Sequence, residues 1–279
     1  MEPAAPIGIF DSGLGGLAVL REVRRLLPHE DVLFLGDTQR QPYGPRTVEE
    51  VRQITIEISG YLIDKGAKIV LIACNTASAA GGDAAQACYP GTPIIGMIRP
   101  GVNAALRASR RKRIGIWGTE MTIATGVYNQ MLVNADPMVQ ALGVACPTLL
   151  RLAEKGKIDD QPYLLELAAE DFKPIAEFNA DTLILGCTDF TCVRPIIDEV
   201  VGSRAVIVDP AEEVVLEARK IMQQESALNP FPGDGTCKFE ITGNDQDNFS
   251  TFGAKFLGVP KIDVTRVSLV NVENSAQPE

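Results

Sequence analysis

Histidine is the scarcest reactive residue in this 279-residue sequence, which contains only His29. Metal centres built on imidazole nitrogen need several histidines in one place, so we expect no such centre and no bound metal. A cysteine hydrolase would need a histidine beside its nucleophile, and His29 stands in a Pro-His-Glu-Asp turn that offers no such pairing. The scarcity therefore argues against both classes of protein.

Basic residues are also in deficit, since 26 Lys and Arg stand against 36 Asp and Glu, a net charge of −10. Nucleic acids and anionic membranes are bound by basic surfaces, and the basic cluster at residues 107–113 is predicted to be a solvated helix end. No apolar run reaches membrane-spanning length, and the N-terminus lacks the basic and apolar regions of a signal peptide. We therefore expect a cytoplasmic protein with neither nucleic-acid nor membrane partner.

Cysteine is present but sparse, with six residues and no Cys-x-x-Cys pair. So few cysteines in a chain of this length are too sparse for a disulfide framework. Cys187 and Cys192 have the wrong spacing for a zinc knuckle. We therefore expect reduced thiols.

Short β-branched runs alternate with longer amphipathic stretches, which is the pattern of a parallel α/β sheet. The predicted strands cover residues 7–10, 31–35, 68–73, 93–97, 114–117, 181–186, 238–242 and 264–270. The predicted helices cover residues 17–27, 48–65, 77–87 and 212–223, and a frayed tail is predicted at 274–279. The chain is thus expected to be an α/β protein throughout.

The second half of the sequence repeats the first. Residues 114–117 echo residues 7–10, and residues 181–189 echo residues 68–76, at offsets of 107 and 113 residues. Such self-similarity indicates duplication of one topology. We predict two pseudo-symmetric domains, each with a mainly parallel sheet flanked by helices, and an active site in the cleft between them.

The domain boundary is predicted near Pro100 and Gly101, with a return crossing near Asp209 and Pro210. These positions assign residues 1–100 plus 210–279 to the first domain. Residues 101–209 form the predicted second domain.

Cys74 and Cys187 occupy matching positions of the repeat, each at the end of a buried strand and before residues that favour helix N-caps. The carboxyl ends of strands line the ligand crevice in such sheets, and a helix N-terminus favours the thiolate. A single cysteine in this setting is as well explained as a small buried hydrophobic residue. Two at equivalent positions favour function.

Two facing thiols suit inversion at a carbon that carries an acidic proton. That chemistry needs a base on one face and an acid on the other, with the roles exchanged in the reverse direction. A thiol, with an ordinary pKa of about 8.5, can serve in either form after modest tuning. The remaining cysteines lack the strand-to-cap setting and are predicted to be structural: Cys88, Cys146, Cys192 and Cys237.

Two glycine-bearing turns follow the first two strands. The turn Asp11-Ser12-Gly13-Leu14-Gly15-Gly16 lacks the complete dinucleotide-binding spacing. Asp11 could hold an ammonium group or move protons, or it could simply cap the next helix. Tyr43 and the backbone N–H of Gly44 could clamp a carboxylate, although a plain proline–glycine surface turn explains that segment equally well.

These motifs resemble those of the glutamate racemases, within the aspartate/glutamate racemase superfamily. The similarity extends from about residue 7 to residue 269 and rests on these segments: 11–16, 42–44, 73–78, 118–119, 145–147 and 186–188. The resemblance implies two α/β domains around a cleft and interconversion of L- and D-glutamate without pyridoxal phosphate, metal or other cofactor. It also implies a supply of D-glutamate for peptidoglycan synthesis and a homodimer.

The resemblance also assigns roles to individual residues. It implies that Cys74 acts on the D-enantiomer and Cys187 on the L-enantiomer, with Asp11 assisting Cys74. Glu154 corresponds to an acid of the family near the second thiol, although a surface helix glutamate is an equally good interpretation. The residues expected to hold the substrate are Asp11, Ser12, Tyr43, Gly44, Asn75, Thr76, Thr188 and Asp189.

Asp189 departs from the family pattern, because glutamate racemases usually place histidine directly after the Cys-Thr of the second motif. An ionised Asp189 would raise the pKa of Cys187, where a histidinium would lower it. Relatives that act on aspartate also carry an acid here. Asp189 is therefore hypothesised to be catalytic and to alter the substrate preference or to make the two directions of catalysis unequal.

Two other functions remain open on the sequence alone. The first is a racemase of aspartate or another amino acid, which Asp189 favours and the other motifs oppose. The second is a non-catalytic relative that binds an amino acid or a protein, which the retained Asp11, Cys74 and Cys187 argue against.

Overall fold

The computed structural model describes residues 1–269, which form two parallel β-sheets flanked by helices. The strands are β1 (Ile7–Asp11), β2 (Val32–Gly36), β3 (Ile69–Ile72), β4 (Ile94–Gly96), β5 (Arg113–Gly118), β6 (Gln140–Ala145), β7 (Thr182–Gly186), β8 (Val206–Val208), β9 (Cys237–Ile241) and β10 (Val264–Arg266). The α-helices are α1 (Leu17–Leu26), α2 (Val48–Asp64), α3 (Asn75–Cys88), α4 (Ile98–Ala108), α5 (Glu120–Ala124), α6 (Val127–Ala135), α7 (Pro147–Glu154), α8 (Gln161–Glu177), α9 (Arg194–Val201), α10 (Pro210–Gln224) and α11 (Gln246–Leu257). A short 3₁₀-helix covers Thr188–Val193.

The two sheets have the same strand order in their shared part. The six-stranded sheet runs β10-β9-β2-β1-β3-β4, and the four-stranded sheet runs β6-β5-β7-β8. The β2-β1-β3-β4 segment of the six-stranded sheet therefore has the same order as β6-β5-β7-β8. The repeat seen in the sequence is thus a repeat of topology. The predicted α/β class with two parallel sheets is confirmed, and all strand pairs within residues 1–269 are parallel.

Both faces of each sheet are buried, which explains the continuous apolar runs in the sequence. In β3, Ile69 and Leu71 pack into the layer of α1 and α10, whereas Val70 and Ile72 pack into the layer of α2 and α3. The alternation follows the two-residue period of a strand. The second sheet is covered in the same way, by α7, α8 and α9 on one face and by α4 and α6 on the other.

The predicted elements that have counterparts agree with the structure to within a few residues at their ends, and α2 ends before Gly66, whose φ is +91°. Pro100 and Gly101 lie inside α4, so the position chosen for the boundary is not a loop. The exact bounds of the two domains stay a prediction.

Several elements of the second sheet were not predicted. Strand β6 was missed because its Gln-Ala-Leu-Gly-Val-Ala sequence has few β-branched residues, and β8 is only three residues long. The last predicted strand is shorter than expected, since β10 ends at Arg266. Its final residue, Val270, and the predicted tail lie outside the described residues. No helix within residues 1–269 is both long enough and apolar enough to cross a lipid bilayer.

A buried ion pair ties together three parts of the first sheet's surroundings. The Lys68 ammonium donates to the Glu30 carboxylate, and both side chains are almost fully buried. The same ammonium donates to the carbonyls of Pro3 and Ala227, at 2.6 and 2.9 Å. The second Glu30 oxygen accepts the N–H of Asn229 at 2.8 Å. The pair thus fixes the chain after α10 against the starts of β1 and β3.

We expect Lys68→Met to lower the free energy of unfolding by about 3–5 kcal/mol, because it leaves the Glu30 carboxylate buried without its cation. Urea denaturation followed by circular dichroism measures the change. The matched control is Lys261→Met, which removes the exposed pair with Asp263 and should cost at most about 1 kcal/mol. Equal losses in the two variants would contradict a structural role for the Lys68–Glu30 pair.

Candidate active site

The carboxyl ends of the two sheets face each other, and the turns that follow the strands make the contacts between them. The hydroxyl oxygens of Thr76 and Thr119 lie 3.0 Å apart. A β-carbon at Gly15, in the turn after β1, would lie 2.6 Å from Thr188 Oγ1. These contacts from both sides define a cleft with the strand ends as its walls, as expected for ligand sites of parallel sheets.

Cys74 lies in this cleft directly after β3. It is the N-cap of α3, and its sulfur accepts the N–H of Ala77 at 3.5 Å. The thiol also lies 4.0 Å from the Ser12 hydroxyl and beside the Asp11 carboxyl. With only 6% of its surface exposed, Cys74 is shielded from solvent but adjacent to two groups of the first turn.

The expectation that the helix N-terminus would favour the Cys74 thiolate is corrected by the structure. Burial raises the pKa of the thiol, and the neighbouring Asp11 carboxylate raises it further. The N–H of Ala77 lowers it, but by less than burial raises it. Cys74 therefore rests as a thiol and needs a partner that takes its proton.

Cys187 follows β7 at the equivalent position, but its surroundings differ. The following turn is a 3₁₀-helix, and the Cys187 side chain makes no capping bond to it. The thiol instead donates to Asp189 Oδ2 at 3.5 Å. Burial raises the pKa of Cys187 well above its ordinary value, and the Asp189 charge adds to the rise, in the direction predicted from the sequence.

Asp189 lies between the two halves of the cleft. A β-carbon at Gly15 would lie 2.7 Å from its Oδ1, while its Oδ2 accepts the Cys187 thiol. Burial raises the pKa of Asp189 well above its ordinary value, and the charges of Asp11 and Glu154 raise it further. The three carboxyl groups therefore interact across the cleft.

Asp11 holds the turn that leads into α1, whose N-cap is Gly16, and it also lies beside a thiol. Its Oδ2 accepts the N–H of Gly16 at 2.8 Å and the N–H of Gly13 at 3.4 Å. Burial raises the pKa of Asp11, against the lowering effect of these N–H groups and of the hydrogen bond with Cys74. Its carboxyl group is thus held in place by backbone and directed at the first thiol.

Asn75 and Thr76 extend from the start of α3 toward the second sheet. The Tyr128 hydroxyl donates to Asn75 Oδ1 at 2.7 Å. Within residues 1–269 the buried Asn75 Nδ2 has no partner, so this donor is available to an acceptor on a ligand. Thr76 lies in a hydroxyl cluster with Thr119 and Thr122.

The predicted carboxylate clamp is only partly available. The Tyr43 side chain is buried, and its hydroxyl donates to Asp37 Oδ2 at 2.6 Å. That proton cannot at the same time be given to a substrate carboxylate. Gly44 lies against Thr119, 3.6 Å from its Cβ when a β-carbon is built on the glycine, so a clamp would depend on the Gly44 N–H.

Glu154 lies at the rim, between two cavities. One, of about 120 Å³, is lined by Ser12, Asp189 and residues of α11, and the other, of about 420 Å³, by Gly44, Thr119 and residues of α7. Glu154 lines both, and although its side chain is exposed, desolvation and the Asp11 charge raise its pKa. Neither of these two cavities is lined by Cys74 or Cys187, but Ser12 and Asp189, which lie beside the two thiols, line the smaller one.

The structure therefore brings together all of the predicted site residues around one cleft. Sequence analysis assigned no role to four residues that make contacts across the cleft: Gly15, Thr119, Thr122 and Tyr128. The Gly118-Thr119 motif was noticed but had no assigned role, and nothing in the sequence singles out Tyr128. His29 is remote, with its Nδ1 at 2.7 Å from the Gly233 carbonyl.

Comparison with known proteins identifies the family. The sequence model of the Asp/Glu/hydantoin racemase family matches residues 7–218. A glutamate racemase from Levilactobacillus brevis is 38% identical over 268 residues, covering 96% of both chains. A glutamate racemase from Geobacter metallireducens is 36% identical over 268 residues, covering 96% of this chain and 98% of its own.

Solved structures agree over the same length. Glutamate racemase isoform RacE1 from Bacillus anthracis superposes with a TM-score of 0.91 at 34% identity, covering 96% of this chain and 99% of its own. Glutamate racemase from Thermus thermophilus, in complex with β-chloro-D-alanine, superposes with a TM-score of 0.84 at 36% identity and the same coverage. The resemblance drawn from the motifs is confirmed: the chain belongs to the Asp/Glu/hydantoin racemase family.

Proposed function

We propose that this enzyme interconverts L- and D-glutamate without a cofactor, using Cys74 and Cys187 as the two acid–base groups. One thiolate removes the Cα proton, and the opposite thiol returns a proton to the other face. The observation that carries the proposal is the placement of the two thiols at equivalent strand ends, each beside a carboxyl group. The glutamate racemases that match nearly the whole chain support glutamate as the substrate.

The substrate is proposed to lie between the two thiols, held by groups of both walls. Asn75 Nδ2 is an unpaired buried donor suited to a carboxylate oxygen. The N–H of Gly44 and the hydroxyls of Ser12, Thr76 and Thr188 are further candidates. Asp11, Asp189 and Glu154 supply the negative charge that an ammonium group needs.

Aspartate is the alternative substrate, and Asp189 is the observation that favours it. Circular-dichroism polarimetry with both enantiomers of glutamate and aspartate, without added cofactor, separates the two. Loss of optical activity with glutamate supports the proposal, whereas activity confined to aspartate would identify aspartate as the substrate. No loss of optical activity with any of the four amino acids would favour a non-catalytic amino-acid-binding protein.

We further propose a cytoplasmic homodimer that supplies D-glutamate to peptidoglycan synthesis. The support is the family alone, so each part needs its own measurement. Sedimentation at several concentrations tests the dimer. Growth after depletion of the protein, rescued by D-glutamate alone, tests the pathway.

Replacing either thiol tests the two-thiol mechanism. We expect Cys74→Ala and Cys187→Ala each to lower kcat/KM for glutamate racemisation by about 10²–10⁴-fold, the contribution of a positioned acid–base group. Polarimetry in both directions gives the rates. The matched control is Cys88→Ala, an exposed cysteine at the far end of α3, which should leave the rate unchanged. A racemase that survives either cleft substitution would rule out the two-thiol mechanism.

Replacing Gly15 tests whether the close approach of the two walls is required. An alanine methyl group would meet the Thr188 hydroxyl and the Asp189 carboxylate at 2.6 and 2.7 Å. Gly15 does not have a positive φ, so the backbone accepts alanine and the effect comes from displacement of the opposite wall. We expect Gly15→Ala to lower kcat/KM about a hundredfold, the order expected when reacting groups are misplaced by about 1 Å.

The control for Gly15→Ala is Gly91→Ala, where a β-carbon meets nothing within 4 Å. Thermal melts of both variants confirm that they fold. If Gly15→Ala folds and retains full activity, the contact between this turn and residues 188–189 has no part in catalysis.

A further inference from the structure

Each thiol in the cleft contacts one carboxyl group, but the two carboxyl groups come from positions that the repeat does not relate. Asp11 stands at the end of β1, where the second half has Gly118. Asp189 stands two residues after its cysteine, where the first half has Thr76. The duplication therefore supplies the two thiols, whereas the two carboxyl groups have been acquired separately.

We propose that Asp11 and Asp189 hold one proton between them, and that each carboxylate in turn takes the proton of its own thiol. This inference rests on the proposed two-thiol function and deepens it. Asp189 lies 3.5 Å from the Cys187 sulfur and Asp11 lies beside the Cys74 sulfur, so we assign a catalytic role to both, and neither thiol depends on a histidine.

The proton transfers balance in a full turnover from L- to D-glutamate. The ionised Asp189 takes the proton of the Cys187 thiol, and the resulting thiolate takes the Cα proton. The Cys74 thiol gives its proton to the opposite face of the carbanion, and the protonated Asp11 then restores the Cys74 thiol. The enzyme ends with Asp189 protonated and Asp11 ionised, which is the state that the D-enantiomer needs. The shared proton passes from Asp189 back to Asp11 before the enzyme takes another L-glutamate.

The placement of the two carboxyl groups against one turn supports a single shared proton: Asp11 Oδ2 accepts the N–H of Gly16 at 2.8 Å, and a β-carbon on the adjacent Gly15 would lie 2.7 Å from Asp189 Oδ1. Burial raises the pKa of Asp11 and of Asp189, and the charge of Asp11 adds to the rise for Asp189. Two ionised carboxylates in one desolvated cleft repel each other, so ionising one favours protonation of the other. The two carboxylates of a bound glutamate add to this preference.

Other titratable groups also face the pair, and none of them provides a second base within hydrogen-bonding distance of Cys187. Glu154 lies at the rim and raises the pKa of Asp189 by its charge. Cys192 has a raised pKa because of burial and the charge of Asp189. Tyr43 lies near Cys74 but donates its proton to Asp37.

Racemisation rates alone cannot show which half of the cleft a variant has damaged. Enantiomers have equal free energies, so kcat/KM must be the same in both directions whatever the substitution. Any difference between the two directions that Asp189 causes can therefore appear in kcat and in KM taken separately, but not in their ratio. A reaction that needs one base and no acid is required.

Elimination from 3-chloroglutamate is such a reaction. One thiolate takes the Cα proton, the electron pair forms the Cα–Cβ double bond, and chloride leaves from Cβ. The enamine tautomerises to an imine, and water converts this to 2-oxoglutarate and ammonium. Chloride release from the 2L and the 2D compound then reports on Cys187 and Cys74 respectively.

We expect Asp189→Asn to slow elimination from the 2L compound by about a hundredfold or more and to leave elimination from the 2D compound within a few-fold of the wild-type rate. Asp11→Asn should show the opposite preference, and asparagine keeps a side-chain oxygen that can accept the N–H of Gly16. Asp189→Glu should restore part of the 2L reaction. The control is Asp160→Asn, the exposed N-cap of α8, which should alter neither reaction.

The outcomes separate this inference from the function on which it rests. A wild-type protein that neither racemises glutamate nor releases chloride would reject the proposed function itself. An active wild type, with folded Asp189→Asn and Asp11→Asn variants that lose both reactions equally or neither, would reject the shared proton and retain the two thiols.

Discussion

Desolvation of acidic groups in a closed cleft is the constraint on which the arrangement of this protein depends. Cys74 and Asp11 are buried and Cys187 and Asp189 are partly buried, and desolvation is the largest influence on the pKa of each. Removal from water penalises every charged form, including the thiolates that would abstract a proton. The proposed two-thiol mechanism therefore requires partners that accept protons locally. The carboxyl group beside each thiol answers that requirement.

The parallel topology explains how such a set of groups can be assembled. The carboxyl ends of β1 and β3 lie side by side, as do those of β5 and β7, because the central strands of each sheet are register neighbours. Facing the two sheets brings four strand ends to one place. Glycine at position 15 then lets the first turn approach Thr188 and Asp189 at distances that any side chain would prevent. The buried sheets hold these groups at the strand ends.

Sequence reasoning predicted the fold and the positions of Cys74 and Cys187 at matching strand ends, because both follow from local sequence patterns. Alternation of apolar runs and helical stretches predicts a parallel sheet, and the matched Cys74 and Cys187 motifs needed only comparison of the two halves. It failed on the protonation of Cys74 and on hydrogen-bond partners, which depend on groups distant in the sequence. The helix N-terminus at Cys74 was visible, but the burial that outweighs it was not. In the same way, the sequence did not show that the Tyr43 hydroxyl donates its hydrogen bond to Asp37 in the fold.

The exchange of an imidazole for a carboxyl group at position 189 changes the charge of the cleft as well as its proton acceptor. A histidine would add a positive charge when protonated and stabilise an adjacent thiolate, whereas an ionised aspartate destabilises it. Such a thiolate is a stronger base, because the rise in thiol pKa that opposes its formation also increases its affinity for a proton. Removal of a weakly acidic Cα proton benefits from that affinity, provided that the thiol proton has somewhere to go. A carboxyl group 3.5 Å from the sulfur provides that place. The effects that make the Cys187 thiol a weak acid also make its thiolate a strong base, so Asp189 is compatible with catalysis.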